Sequence, residues 1–141
     1  MIRFFNEDIN FNLSHKQVIK RLLTSAVIAE GKKAGELSVI FCSDAYLLEI
    51  NRRYLQHDYY TDIITFDYTE RNVLNGDLFI SIDRVKANAD TYNQTFEQEL
   101  CRVMLHGLLH LCGYDDTTKM QQKKMRAAED KYLNISDNHK K

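Results

Sequence analysis

The sequence predicts an α+β fold: a single domain with a small mixed β-sheet of about four strands packed with about five helices. Three observations point there. Short apolar, β-branched runs alternate with longer segments of near-helical apolar spacing. No repeat and no Pro-, Gly- or Ser-rich linker divides the chain. And 141 residues, 44% of them hydrophobic, are one domain's worth of chain, enough to bury about two-thirds of the surface exposed when unfolded.

The elements follow in order. IRFFN reads as a short first strand. NLSHKQVIKRLLTSAVIAEGKK reads as the first long helix, with a Ser14–Gln17 capping box, apolar positions at Val18, Leu22, Ala26 and Ile28, and a stop at Gly31. ELSVIFCS has a strand's length and β-branching, after which DAYLLEINRRYL resumes helical spacing through Leu47, Ile50 and Tyr54. Two strands, DIITFDY and GDLFISI, flank the polar turn TERNVLN, and DRVKANADTYN forms a helix with a solvated face. TFEQELCRVMLHGLLHLCG opens on a second capping box, Thr95–Gln98, and carries Leu100, Val103, Met104, Leu108 and Leu111 on one side. A last helix runs from about Thr118, with a Thr118–Gln121 box, to Leu133. The domain is therefore expected to span 1–133, with a polar flexible C-terminal tail at 134–141. Proline is absent, so loop ends are set by Gly, Asp, Asn and Ser.

Composition narrows the function. An odd count of three cysteines and an opening without a basic-then-apolar run fit a reducing cytoplasm. No apolar run approaches the roughly 18 residues that span a bilayer, so no membrane role is expected. A net charge of −1 removes the global basic field of proteins that hold nucleic acid by electrostatics alone. An RNA partner would have to be met by local patches.

The chemistry concentrates in HGLLHLCGYDD, residues 106–116. On a helix, His106 and His110 are one turn apart on the same face, the spacing at which two imidazoles share one metal ion. Gly113 can end that helix in a left-handed conformation and return Asp115 or Asp116 toward the same point. Two imidazoles and a carboxylate form a zinc ligand set of catalytic sites, whose fourth position is left for water. Cys112, two residues from His110, falls on another face and reads as a small hydrophobe, and Tyr114 as packing. The spacing is also that of H-E-x-x-H peptidases, but the position of their glutamate base is Gly107.

These residues resemble the signature H-G-x-L-H-L-x-G-Y-D-H of the YbeY family, bacterial metal-dependent endoribonucleases of ribosomal RNA maturation and ribosome quality control. Two further segments agree in order and spacing. Ile50 and Asn51 followed by DYYTDIITF at 58–66 resemble L-N…D-x-P-T-D-V-L-S-F, and GDLFIS at 76–81 resembles G-D-I-x-I-S. The likeness runs over roughly residues 35–133.

The resemblance implies a metal site of His106, His110 and Asp116, with Asp116 where the family has a third histidine, and one Zn2+ per chain as cofactor. It implies a zinc-dependent, single-strand-acting endoribonuclease whose partners are a ribosomal RNA precursor or ribosomal particle and ribosomal or assembly proteins. The nucleophile would be water activated by the ion, whose pKa falls toward about 7 on zinc. No side chain is assigned as catalytic base, Asp115 being a weak candidate against a turn role. Leu55 stands where the family has an arginine and Tyr60 where it has a proline, so Arg52 and Arg53 are the candidates for RNA contact. Two other readings compete: a zinc hydrolase of peptides or small molecules, and a non-catalytic ribosome-assembly factor whose metal ties helices to the sheet.

Overall fold

In the computed structural model, residues 1–134 are described in full and 135–140 by backbone alone, so nearly all of the expected tail at 134–141 lies outside the fully described residues. The order is β1 (Ile2–Asn6), α1 (Lys16–Ala29), β2 (Lys33–Cys42), α2 (Asp44–Leu55), β3 (Ile63–Asp67), β4 (Val73–Ser81), α3 (Ile82–Thr91), α4 (Phe96–Leu111) and α5 (Lys119–Lys140). The sheet runs β1-β2-β4-β3, with β1 and β4 parallel to β2 and β3 antiparallel to β4. The expected mixed α+β architecture is what forms.

Strand alternation sorts the core onto two faces. Leu37, Val39 and Phe41 of β2 join Leu74, Leu78 and Ile80 of β4 in the main cluster, under α1, α4 and α5. Their opposite neighbours Cys42, Ile64 and Phe79 meet Leu47 and Ile50 of α2 in a smaller one. Most of α4 is buried, from Glu99 to Leu111. His106 and His110 fall on the stripe of α4 that stays half-buried.

Several local expectations are corrected. The Ser14–Gln17 box does not form: α1 starts at Lys16, and its N-cap is His15 in a left-handed conformation (φ 60°) without a side-chain cap. Ile9, Phe11 and Leu13 pack on the core just upstream, which fixes how the chain arrives and leaves Ser14 one residue too early to cap. Ile28 and Tyr54 are exposed rather than packed, Ile19, Leu23 and Val27 taking the inner face of α1. β4 begins at Val73 inside the presumed turn, because Lys33 and Ala34 of β2 pair with Val73 and Leu74 across an irregularity that Asn75 patches by accepting from Glu36 N at 2.8 Å. The Thr95–Gln98 and Thr118–Gln121 boxes both form.

Candidate metal centre

Gly113 makes the turn that assembles the site. Its φ is +107°, and the bonds Gly113 N to His110 O and Tyr114 N to Leu109 O, both 3.0 Å, close α4 in a Schellman arrangement that a residue with a Cβ adopts only under strain. The chain reverses and carries Asp116 back over the helix. Gln122 of α5 then donates its side-chain amide to the Asp116 carbonyl at 3.0 Å.

Three acceptor atoms converge. His106 Nε2 lies 3.2 Å from His110 Nε2 and 3.2 Å from Asp116 Oδ2, and His110 Nε2 lies 3.5 Å from the same oxygen. Ligands at 2.0–2.1 Å around a tetrahedral ion sit about 3.3 Å apart, so the spacing matches a single small ion.

The far side of each ring decides its tautomer. His110 Nδ1 is 2.9 Å from the Tyr114 carbonyl, which can only accept, so that nitrogen carries the proton. His106 Nδ1 is 2.8 Å from Glu129 Oε2, a buried carboxylate that also accepts from Arg102 at 2.8 Å. With Nδ1 protonated and Nε2 bare, each ring would aim an Nε2 lone pair at Asp116, and three lone-pair donors facing one point repel unless a cation or proton lies between them. The donor set fits a divalent ion. Burial lowers the proton affinity of His106, but the Glu129 hydrogen bond and the charges of Glu129, Asp116 and Asp62 outweigh it and raise its pKa above the ordinary value. Proton and metal compete for that nitrogen.

Other expected site residues lie elsewhere. Asp115 is exposed and lines a separate hollow with Glu30, Cys112 and Lys124, not either hollow that opens on the triad. Burial pushes the Cys112 thiol up to about 11, away from the thiolate a metal needs. Arg52 and Arg53 are exposed near the end of α2, Arg52 on Asp58 at 2.5 Å and Arg53 near Glu49 at 3.8 Å. Leu55, not either arginine, lines the hollow in front of the metal ligands.

Gly107 turns inward. A Cβ there would meet Ile63 Cδ1 at 2.6 Å and Leu78 Cδ2 at 3.0 Å. The position at which H-E-x-x-H peptidases carry their base is thus pressed against the sheet, with no room for a glutamate.

Three contributors escape a reading of the 106–116 motif. Glu129 and Arg102 have been described. The third is Asp62, at the foot of β3, which accepts from Asn88 at 3.2 Å and borders both hollows beside His106. Burial raises its carboxyl pKa, against the opposing pull of His106. Glu129 did leave a signal: it falls within the Met125, Ala128, Tyr132 stripe, where a carboxylate needs a partner. The hollows, of about 560 and 430 Å³, meet at His106, Asp116 and Asp62.

The chain is similar to known proteins over nearly its whole length. The sequence profile of endoribonuclease YbeY matches residues 1–137. The endoribonuclease YbeY of Parabacteroides distasonis is 47% identical over 134 residues, 95% of this chain and 94% of its own length. That of Cytophaga hutchinsonii is 50% identical over 135 residues, with the same 95% and 94% covered, and that of Bacteroides fragilis 57% over 102 residues, 72% and 73%. A Thermotoga maritima protein solved in solution superposes with a TM-score of 0.70 at 30% identity, over 99% of this chain and 91% of that one.

Proposed function

Because this chain belongs to the YbeY endoribonuclease family, we propose that it is a zinc-dependent endoribonuclease that cuts single strands in ribosomal RNA processing and maturation and in ribosome quality control. The observation that carries the reading is the convergence of His106 Nε2, His110 Nε2 and Asp116 Oδ2, all within 4.8 Å of one another. When bound, zinc supplies Lewis acidity toward a phosphoryl oxygen and toward water.

The chain's own residues do the rest. Glu129 and the Tyr114 carbonyl hold both imidazoles with Nε2 forward, so the ligands need no reorientation. The paired hollows give a strand a path across the ligands, and Asp62 places a half-buried carboxyl at their junction. The nucleophile is water, and Asp62 is better placed than Asp115 to take its proton. Arg52 and Arg53 serve RNA from outside the cleft. A peptidase mechanism finds no support, since Gly107 leaves no room for its base. Among the described residues no helix is long and apolar enough to cross a membrane, and the proposed setting is the cytoplasm, on ribosomal RNA precursors or ribosomal particles.

The test is the metal content of protein purified without added metal, paired with cleavage of a ribosomal RNA precursor before and after chelation. Stoichiometric zinc, with cleavage lost on chelation and restored by zinc, is expected. Cleavage indifferent to chelation, or restored by another ion and not by zinc, would overturn the zinc assignment.

A further inference from the structure

We propose that the cleft holds its strand by stacking bases on two tyrosines, Tyr59 on one side of the metal ligands and Tyr92 on the other; this rests on the endoribonuclease reading above. Charge cannot do this work in the larger hollow. Its wall carries Asp62, Asp67 and Asp116 and no lysine or arginine. In the other hollow Arg102 is already bonded to Glu129 and Asp130, and exposed Arg126 is the one further cation, set against four carboxylates. A protein of net charge −1 with such a cleft offers phosphates little.

It does offer rings. Tyr59 lines the larger hollow and is 56% exposed; Tyr92, at the end of α3, lines the other and is 57% exposed. Tyr59 is not a loose surface residue. Its carbonyl accepts from Nδ2 of Asn51, which is 2% exposed, at 2.9 Å. His57 N bonds the Asn51 carbonyl at 3.1 Å, and Asp58 is paired with Arg52. Three ties therefore fix residues 57–59 to α2. The His57 ring stacks on Tyr59 with centroids 5.1 Å apart and planes inclined by 21°, covering one face and leaving the other for a base. A buried asparagine spent on holding an exposed ring is what a preorganised stacking platform requires. Because every base has a π-face, such a cleft takes single strands with little sequence preference and excludes duplex, whose bases are already stacked.

The test compares a short oligoadenylate with an abasic oligomer of equal phosphate number, on metal-loaded protein in the cold, with strand integrity checked on a gel. Oligoadenylate should bind more tightly. Tyr59→Ala and Tyr92→Ala should each weaken it about five- to a hundred-fold, with abasic binding and metal content unchanged and Tyr59→Phe near the parent. The chain has no tryptophan, so Tyr59→Trp gives a single tryptophan, excited selectively over the remaining tyrosines, whose emission oligoadenylate should quench and the abasic strand should not. Equal affinity for the two strands, or alanine variants that bind like the parent, would overturn the platform; if metal-dependent RNA cleavage persisted, the endoribonuclease reading would stand without it. Base-dependent binding lost in the alanine variants, from a protein that cuts no RNA, would uphold the platform and sink that reading instead.

Discussion

Glu129→Gln is the substitution that best separates the metal site from the fold beneath it. The side chain is 5% exposed and accepts two charge-assisted bonds, from Arg102 at 2.8 Å and from His106 Nδ1 at 2.8 Å. Glutamine keeps the volume but has one acceptor and one donor end. If its oxygen stays on Arg102, its amide faces His106 Nδ1 donor to donor, and the imidazole is driven to the other tautomer, with a hydrogen on Nε2 where the ion must bind. Loss of such a partner behind a ligand costs about 10–100-fold in metal affinity, or about 1.4–2.7 kcal/mol. The fold should suffer less than the roughly 3–5 kcal/mol of a broken buried pair, because Arg102 retains Asp130 at 2.6 Å; a loss of about 1–3 kcal/mol is expected. Zinc affinity by competition with a chromophoric chelator, and apo-protein stability by urea denaturation, measure the two effects. His106→Ala, which removes a ligand outright, should fall well below Glu129→Gln in affinity. A Glu129→Gln protein that binds zinc as tightly as the parent would refute the role given to this carboxylate.

Four other outcomes are expected. Asp116→His should keep metal, Asp116→Ala should lose it and Asp115→Ala should keep it, by metal analysis of purified protein; the reverse order for the two alanine variants would mean that Asp115, not Asp116, is the ligand. Gly107→Ala drives a methyl to within 2.6 Å of Ile63, an overpacking cost of about 1–3 kcal/mol only partly offset by the ~1 kcal/mol helix preference of alanine. A more stable variant in urea would contradict that close approach. Reversing Arg52 and Arg53 to glutamate should weaken RNA binding and flatten its salt dependence by about one unit of slope for each phosphate no longer neutralised, with metal content normal; unchanged titrations across salt would place RNA binding on another surface. The Tyr114 hydroxyl is pushed up to about 12 by burial and by Glu30. Unfolded tyrosine loses its proton from about pH 10 while the folded one keeps it, so the folded state binds more protons and stability falls as pH rises through this window. Tyr114→Phe should lose stability less steeply there, and parallel urea midpoints would argue against the Tyr114–Glu30 contact.

What could be read in advance divides along a physical line. Features fixed within one turn of chain were visible: the boxes at Thr95 and Thr118, the turn at Gly113 and the histidine pair all depend on neighbours within four residues. Where a distant contact decides, local rules misled. Ser14 had the right chemistry for a cap, but packing of Phe11 and Leu13 set the helix start. Val73 had strand character that the polar letters around it hid, and only the parallel partner β2 drew it into the sheet. In the candidate metal centre the three proposed ligands could be named together because they sit in one segment. Of their distant supports, Glu129 showed only as a carboxylate in an apolar stripe, its partner His106 lying 23 residues back, and Asp62, from a different layer, left no mark. Leu55 and Tyr60 were visible as departures from the family pattern, yet that Leu55 faces the cleft while Arg52 and Arg53 do not is a matter of how α2 docks.

That division bears on how the site is built. The 106–116 motif supplies the three proposed ligands and, through the Tyr114 carbonyl, orients His110; the last helix orients the other two. Gln122 holds the Asp116 backbone and Glu129 holds the His106 ring, and both belong to α5. What positions α5 is apolar: Met125, Ala128 and Tyr132 are buried on the core, and the Tyr132 hydroxyl is anchored on Glu30 at the end of α1. Burial of that stripe therefore sets Glu129 behind His106 before any ion arrives, so binding need not order the helix. The linkage runs in both directions. An ion held by His106, His110 and Asp116 stabilises the arrangement in which these contacts coexist, and damage to the α5 stripe far from the ligands must reappear as weaker metal binding. On the proposed reading, a metal held by these three residues would also clasp the last two helices together, so the enzymatic reading and the structural one need not exclude each other.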